Sequence, residues 1–448
     1  MVFSNKNIMY NCILIGVDEI WTKSEKVKKK MINILINDIK NRINFNKIEN
    51  RRGRIIIWDY KEEWINILRK IPGIKNIYPS IYFETSIENI KKYSLEFFSN
   101  FIGNINKFKI STKRVDKSFP YKSIEVNKII GEEILNKYKL KVDVKNPEKI
   151  LYIEIHRDYT FIYDKIIEGL GGLPEGSEGK GILLFSGGSD SSVAAYIISK
   201  RGLKIDFLFI NIAGDVYLQY VYNVYNKLKE YFPNSKLYVY NLDIKYLFNV
   251  REGYRQILFK AIMYKIAEKF AKKNNYDCII TGESLGQVSS QKIDSLKVLD
   301  SLVDILVLRP LIGFNRNEIL ESSKKIGVYY IRAPEICKIE NHPTTKPKID
   351  LLISELNKLN IDFDNEIEKI REINNINIEE FNLKIPDKKD LIIIKFEEFS
   401  KYNFEKSKKY LLICKNGILS KYFAKRLRDK GIEAYYMDEK TAKMLKYI

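Results

Sequence analysis

Ile182-Leu-Leu-Phe185-Ser186-Gly-Gly-Ser-Asp-Ser-Ser192 decides the fold. An apolar strand runs straight into a turn of small residues, and a helix follows after Ser191. Gly187 and Gly188 let backbone N–H groups approach a phosphate closely, and Ser186, Ser189 and Ser191 add hydroxyl donors. The amino end of the following helix favours negative charge. Asp190 cannot itself stabilise a phosphate, so its expected role is to hold Mg²⁺ or to brace the loop. The plain alternative is an ordinary strand–turn–helix built of small residues.

Working outward, strands and helices alternate from 181 to about 345. Strands are expected at Ile182–Phe185, Ile205–Ile210, Lys236–Tyr240, Cys278–Thr281 and Ile305–Leu308, with helices after Ser191 and from about Leu218 and Arg255. Such alternation predicts parallel strands with helices on both faces, and ligands gather at the carboxyl ends of those strands. Gly179-Lys180 imitates the end of a P-loop, but Pro174 stands where the first glycine belongs and no Ser or Thr follows the lysine. Without that lysine a γ-phosphate is not the obvious target.

Upstream, Ser24 is placed to cap a helix carrying Val27, Met31, Leu35, Ile39 and Ile43 on one face, and Arg54–Trp58 reads as a strand. Lys107–Lys113, Val142–Val144 and Ile150–Ile155 are further strand candidates around a helix from Ser123 to about Lys139. The basic loop Lys113-Arg-Val-Asp-Lys-Ser-Phe-Pro120 is either an exposed turn or an RNA contact. Gly169–Gly181, the most glycine-rich stretch, reads as an interdomain linker. Downstream, 346–385 reads as a helical connector, followed by strands at Leu391–Lys395 and Tyr410–Cys414 and a helix from Ser420 to Lys430.

A formal net charge of +20 favours a polyanionic partner over merely solvated lysine faces. No run of ~18 apolar residues is present and the N-terminus lacks a secretion signal, so a cytoplasmic protein is expected. Cys12, Cys278, Cys337 and Cys414 are far apart with no C-x-x-C, and His156 and His342 are the only histidines. Neither zinc nor an iron–sulfur cluster is expected. Chemistry at sulfur has to come from single thiols.

The S-G-G-x-D-S run resembles the PP-loop of ATP pyrophosphatases, which transfer AMP to a carbonyl or amide oxygen. Ile280-Thr-Gly-Glu-Ser-Leu-Gly-Gln-Val-Ser-Ser-Gln291, Leu308-Arg-Pro-Leu-Ile-Gly313, and Pro334-Glu-Ile-Cys337 with His342-Pro-Thr-Thr-Lys-Pro347 resemble signatures of the tRNA uracil 4-sulfurtransferases, the ThiI-like 4-thiouridine synthetases. Phe119-Pro-Tyr-Lys-Ser, Val144-Lys-Asn-Pro147 and Gly171-Gly-Leu-Pro174 resemble that family's THUMP domain and the junction after it. Tyr410-Leu-Leu-Ile-Cys414-Lys-Asn-Gly-Ile-Leu-Ser420 is similar to a rhodanese active-site loop, although the usual first half of that domain is largely missing.

The resemblance implies a multidomain α/β chain: a ferredoxin-like domain at 1–75, THUMP at 76–168, a linker at 169–180, a doubly wound parallel-sheet PP-loop ATP pyrophosphatase domain at 181–347, a connector at 348–387 and a partial, truncated rhodanese-like domain at 388–448. It carries ATP contacts to Leu184, Phe185, Ser186, Gly187, Gly188, Ser189, Ser191, Lys260, Gly282 and Gln291, and RNA contacts to Lys113, Arg114, Lys117 and Lys122. Asp190 is expected at Mg²⁺, Cys414 as the persulfide carrier and Cys337 as its partner thiol. Cys12 and Cys278 read as structural.

The implied reaction adenylates uridine O4 and replaces it with sulfur, expected at the position-eight uridine; sulfur supply for thiamine thiazole is a further implied role. Implied partners are tRNA, a cysteine-desulfurase-type or other persulfide donor, and a second copy in a homodimer. Two alternatives stay open: another PP-loop tRNA thiolase (2-thiolation) and a non-catalytic tRNA-binding protein.

Overall fold

The computed structural model describes residues 10–51, 53–247, 250–331, 340, 342–376, 385–395, 398–399, 402–415 and 417–447. They divide into two compact units, the first holding residues up to 177 with 200–202, the second holding 178–199 and 203 onward.

The first unit is built on one nine-stranded sheet. Along Cys12–Val17 the residues alternate in direction, as period-two geometry requires. Ile13, Ile15 and Val17 pack under helix Glu25–Arg42, while Cys12 and Leu14 join an aromatic layer with Tyr78, Phe161 and Tyr163 on the opposite face. The eleven-residue strand Ile74–Glu84 pairs with Cys12–Val17 through its first part and with Tyr159–Tyr163 through its last. The boundary expected at 75/76 therefore falls inside a continuous strand. The glycines after Glu168 serve close packing: Gly172, at φ +76°, lies so near the Lys200 carbonyl that a Cβ would overlap it.

The second unit holds a six-stranded sheet in the order Leu306–Leu308, Cys278–Ile280, Lys180–Leu184, Lys204–Asn211, Leu237–Asn241, Arg371–Glu372. The first five strands run parallel. Their apolar runs fit burial on both faces. Chain order reverses beside Lys180–Leu184, which makes its carboxyl end the switch point where such sheets bind ligands. The connector contributes more than helix: Arg371–Glu372 pairs antiparallel with Leu237–Asn241 and covers that edge.

The C-terminal part of this unit is a three-stranded parallel sheet with Lys409–Cys414 between Ile392–Lys395 and Glu433–Asp438. Tyr410 and Leu412 face helix Ile418–Asp429, and Leu411 and Ile413 face the layer around Tyr435 and Met437. By the same alternation Cys414 points toward the helix. Among the described residues no helix is long and apolar enough to cross a membrane.

Candidate active site

The phosphate loop sits where the sequence puts it, with its helix beginning earlier, at Ser189. Asp190 and Ser191 therefore lie in the first helical turn. Gly187 takes φ +72°, a conformation glycine adopts without strain. The loop is closed by its own serines. Ser186 N–H donates to Ser191 Oγ at 3.3 Å, Gly188 N–H donates to Ser186 Oγ at 3.3 Å, and Ser192 Oγ donates to the Gly188 carbonyl at 2.8 Å. Ser189 Oγ is buried without a protein partner. A buried hydroxyl left unpaired costs about 1–3 kcal/mol, which a ligand oxygen would recover.

Leu184 ends the strand, and the Phe185 N–H is used by the Leu208 carbonyl at 2.9 Å. Of the Phe185 backbone, the carbonyl is thus what a ligand could meet. Gly282 backs directly onto the loop: a Cβ there would lie 2.7 Å from the Asp190 carbonyl carbon and 2.7 Å from the Ser191 nitrogen. Gln287 Nε2 donates to Asp190 Oδ2 at 3.0 Å, linking the signature loop to the carboxylate. Gln291 braces that loop from within, accepting the Ser284 N–H on Oε1 at 3.3 Å.

Beyond Gly282 stands a buried charge cluster that sequence reasoning reached only at Lys260. Glu283 Oε1 accepts Lys260 Nζ at 2.5 Å, and its Oε2 accepts Tyr264 OH at 2.7 Å, Arg309 Nε at 2.9 Å and Thr281 Oγ1 at 3.0 Å. Arg309 also pairs with Asp300 at 2.5 Å. Burial alone would raise the Glu283 pKa, but Lys260, Tyr264 and Arg309 hold it down at about 2. Glu283 lies within the Ile280–Gln291 signature and Arg309 within Leu308–Gly313. Tyr217, whose OH donates to the Ser186 carbonyl at 3.2 Å, carried no sequence signal.

Cys414 ends its strand almost fully buried. Its Sγ accepts the Ser420 N–H at 3.3 Å and lies 3.3 Å from Ser420 Oγ, at the amino end of helix Ile418–Asp429. Gly417, at φ +78°, makes the turn into that helix. A backbone amide and a helix amino end are thus both aimed at the sulfur. Cys337 lies outside the described residues. Cys12 and Cys278 are buried strand residues, and burial pushes the Cys278 thiol up to about 11. Among the described residues no group of three or more His, Cys, Asp or Glu is arranged to hold a metal.

In the first unit Lys113 borders a cavity of 1040 Å³, lined also by Trp21, Lys26, Lys29 and Arg54. Lys117 and Lys122 are exposed. Arg114 instead braces the basic loop, donating to the Phe119 carbonyl at 3.0 Å.

The model of the family described as Thiamine biosynthesis protein (ThiI) matches residues 176–361, the THUMP domain matches 84–164, and the ThiI ferredoxin-like domain matches 12–78. A "Probable tRNA sulfurtransferase" of Halothermothrix orenii is 34% identical, with 80% of this chain and 96% of that protein covered. The chain belongs to the tRNA sulfurtransferase family. A second family member, from Caldanaerobacter subterraneus subsp. tengcongensis, is 36% identical, with 82% of this chain and 100% of that protein covered. Among solved structures, a 4-thiouridine synthetase–RNA complex with bound ATP aligns with a TM-score of 0.73 at 28% identity, covering 82% of this chain and 100% of that one. Both coverages leave part of this chain without a counterpart in those two relatives.

Proposed function

We propose that this chain is an ATP-dependent tRNA sulfurtransferase that makes 4-thiouridine, expected at the position-eight uridine. The observation that carries the reading is the phosphate loop: closed by its own serines, retaining the unpartnered Ser189 hydroxyl, and lying at the switch point of the sheet. Family membership supports it. The homologous complex contains both ATP and RNA.

The C4 carbonyl of uridine is a poor electrophile until its oxygen becomes a leaving group. With ATP's terminal diphosphate held by Ser186–Ser191, O4 attacks the α-phosphorus and pyrophosphate departs. The terminal sulfur of a Cys414 persulfide then attacks C4 and AMP leaves, giving a nucleoside–S–S–Cys414 link. Cys337 thiolate attacks Cys414 Sγ and releases 4-thiouridine; alternatively it attacks the persulfide first and frees hydrosulfide for C4. Either route ends in a Cys337–Cys414 disulfide that an external thiol must reduce.

Asp190 fits Mg²⁺, which takes one or two protein carboxylates and otherwise phosphates and water. Bound there, the ion would neutralise phosphate charge. Lys113, Lys117 and Lys122 with the basic cavity would meet RNA phosphates. A cysteine-desulfurase-type donor, a homodimer and sulfur supply for thiamine belong to the same proposal.

The test is thiolation of unmodified tRNA with ATP and a protein persulfide donor, free sulfide excluded, read by nucleoside digest. Cys414→Ala, Cys337→Ala and Asp190→Ala should each abolish 4-thiouridine. Sulfur appearing at C2 would move the enzyme to the 2-thiolating class. Absence of tRNA-dependent AMP formation would leave a binding protein.

A further inference from the structure

The C-terminal sheet does not merely follow the nucleotide-binding sheet; it is seated on it. Gly214 opens the helix after strand Lys204–Asn211 at φ +73°, and a Cβ there would overlap Cδ2 of Tyr422. The Tyr422 ring thus lies directly on glycine backbone, in a place no other residue would leave open. One turn beyond Tyr422 on helix Ile418–Asp429, Arg426 donates to Asp243 Oδ1 at 3.3 Å and to Tyr422 OH at 3.4 Å. Asp243 follows strand Leu237–Asn241. Both seats therefore belong to the carboxyl edge of the sheet, beside the phosphate loop.

That edge is held in shape by Asn211, whose Nδ2 donates to the Gly214 carbonyl at 3.2 Å and to Asn241 Oδ1 at 2.8 Å. Tyr422 stands two residues after Ser420, which meets Cys414 Sγ. Tyr217, on the Gly214 helix, reaches the Ser186 carbonyl. A short run of touching pairs, Cys414–Ser420, Tyr422–Gly214 and Tyr217–Ser186, thus joins the cysteine loop to the phosphate loop.

We propose that Tyr422 and Arg426 are positioning residues that dock the Cys414 domain on the carboxyl edge of the nucleotide sheet for sulfur delivery. The inference rests on Cys414 being the sulfur carrier. Docking replaces the wandering of a tethered domain with a fixed approach, and so raises the effective concentration of the Cys414 sulfur at the activated base. Neither residue touches the nucleotide loop, so adenylation does not depend on them.

The experiment compares donor-driven and free-sulfide-driven thiolation by the full chain carrying Tyr422→Ala, Tyr422→Phe, Arg426→Asp, Asp243→Arg or the Asp243→Arg/Arg426→Asp pair. Tyr422→Ala, Arg426→Asp and Asp243→Arg should each slow donor-driven thiolation by about tenfold. Tyr422→Phe, which keeps the ring, and the charge-swapped pair should recover most of the rate. AMP formation and sulfide-driven thiolation should stay at wild-type level throughout. Unchanged donor-driven rates in the single variants, while Cys414→Ala is inactive, overturn the docking role alone. Equal loss of all three activities overturns it in favour of general destabilisation. Full donor-driven activity in Cys414→Ala removes the carrier reading, and the docking role with it.

Discussion

Lys260 Nζ lies 2.5 Å from Glu283 Oε1, so the lysine expected to face the phosphates is held by a buried carboxylate. Arg309 shares that carboxylate at 2.9 Å. Removing Glu283 leaves two cations facing one another with little water between them. Glu283→Ala should therefore destabilise the fold by about 3–5 kcal/mol, the usual cost of breaking a buried pair from one side. Glu283→Gln, which keeps oxygen and volume, should cost less. Urea unfolding measures both.

The same cluster sets an acid limit. The Glu283 carboxyl titrates at about 2 in the folded chain against 4.5 ordinarily, and Glu154, held by Arg54 and His156 against its own burial, shows the same values. Depressed carboxylates contribute stability that is fully present above the ordinary value and is lost as pH falls through the folded one. Unfolding free energy should drop between pH 4.5 and about 2, and less steeply in Glu283→Gln.

Ser189→Ala separates folding from binding. The hydroxyl is buried and has no protein partner, so its loss should raise stability by about 1–3 kcal/mol. ATP affinity should fall about tenfold or more, the worth of one hydrogen bond to a charged group. Thermal melts and calorimetric titration give the two numbers. Unchanged ATP affinity would detach Ser189 from the nucleotide.

Gly282→Ala tests the packing behind the loop. The added methyl would sit 2.7 Å from Asp190 and Ser191 backbone atoms, which can yield only if the loop moves. Overpacking of this kind costs about 1–3 kcal/mol, so ATP binding should weaken about tenfold or more while the first unit is unaffected. Titration with ATP reads the effect directly.

Salt dependence tests the basic face. On the proposed RNA contact, Lys113→Ala, Lys117→Ala and Lys122→Ala each take one cation away from the phosphates. Each should flatten the plot of log affinity for tRNA against log salt by roughly one unit. Arg114→Ala should act differently, loosening the loop through the freed Phe119 carbonyl and lowering thermal stability.

Placement is legible in the sequence where strand, turn and helix signals fall within a few residues. Ser186–Ser192 announces itself because its small residues stand between an apolar strand and a helix. Cys414 does so because an unbroken apolar run precedes it. The Glu283 cluster was hidden: Lys260, Tyr264, Thr281 and Arg309 meet only once Cys278–Ile280 pairs with Leu306–Leu308. Strand Arg371–Glu372 was hidden because its two charged residues carry no apolar pattern, and it exists only against Leu237–Asn241. Strand Glu433–Asp438 was missed although Ala434, Tyr435 and Met437 are buried, since only its partner Lys409–Cys414 defines its faces. The seat of Tyr422 on Gly214 joins positions whose local sequence says nothing of each other.

Strand Ile74–Glu84 has a consequence for how the N-terminal unit comes apart. Because one stretch of backbone serves both Cys12–Val17 and Tyr159–Tyr163, the two small folds share a common spine. Heat or urea should melt them in a single cooperative step, and a protease nick between residues 80 and 81 would part the segment paired to Cys12–Val17 from the segment paired to Tyr159–Tyr163.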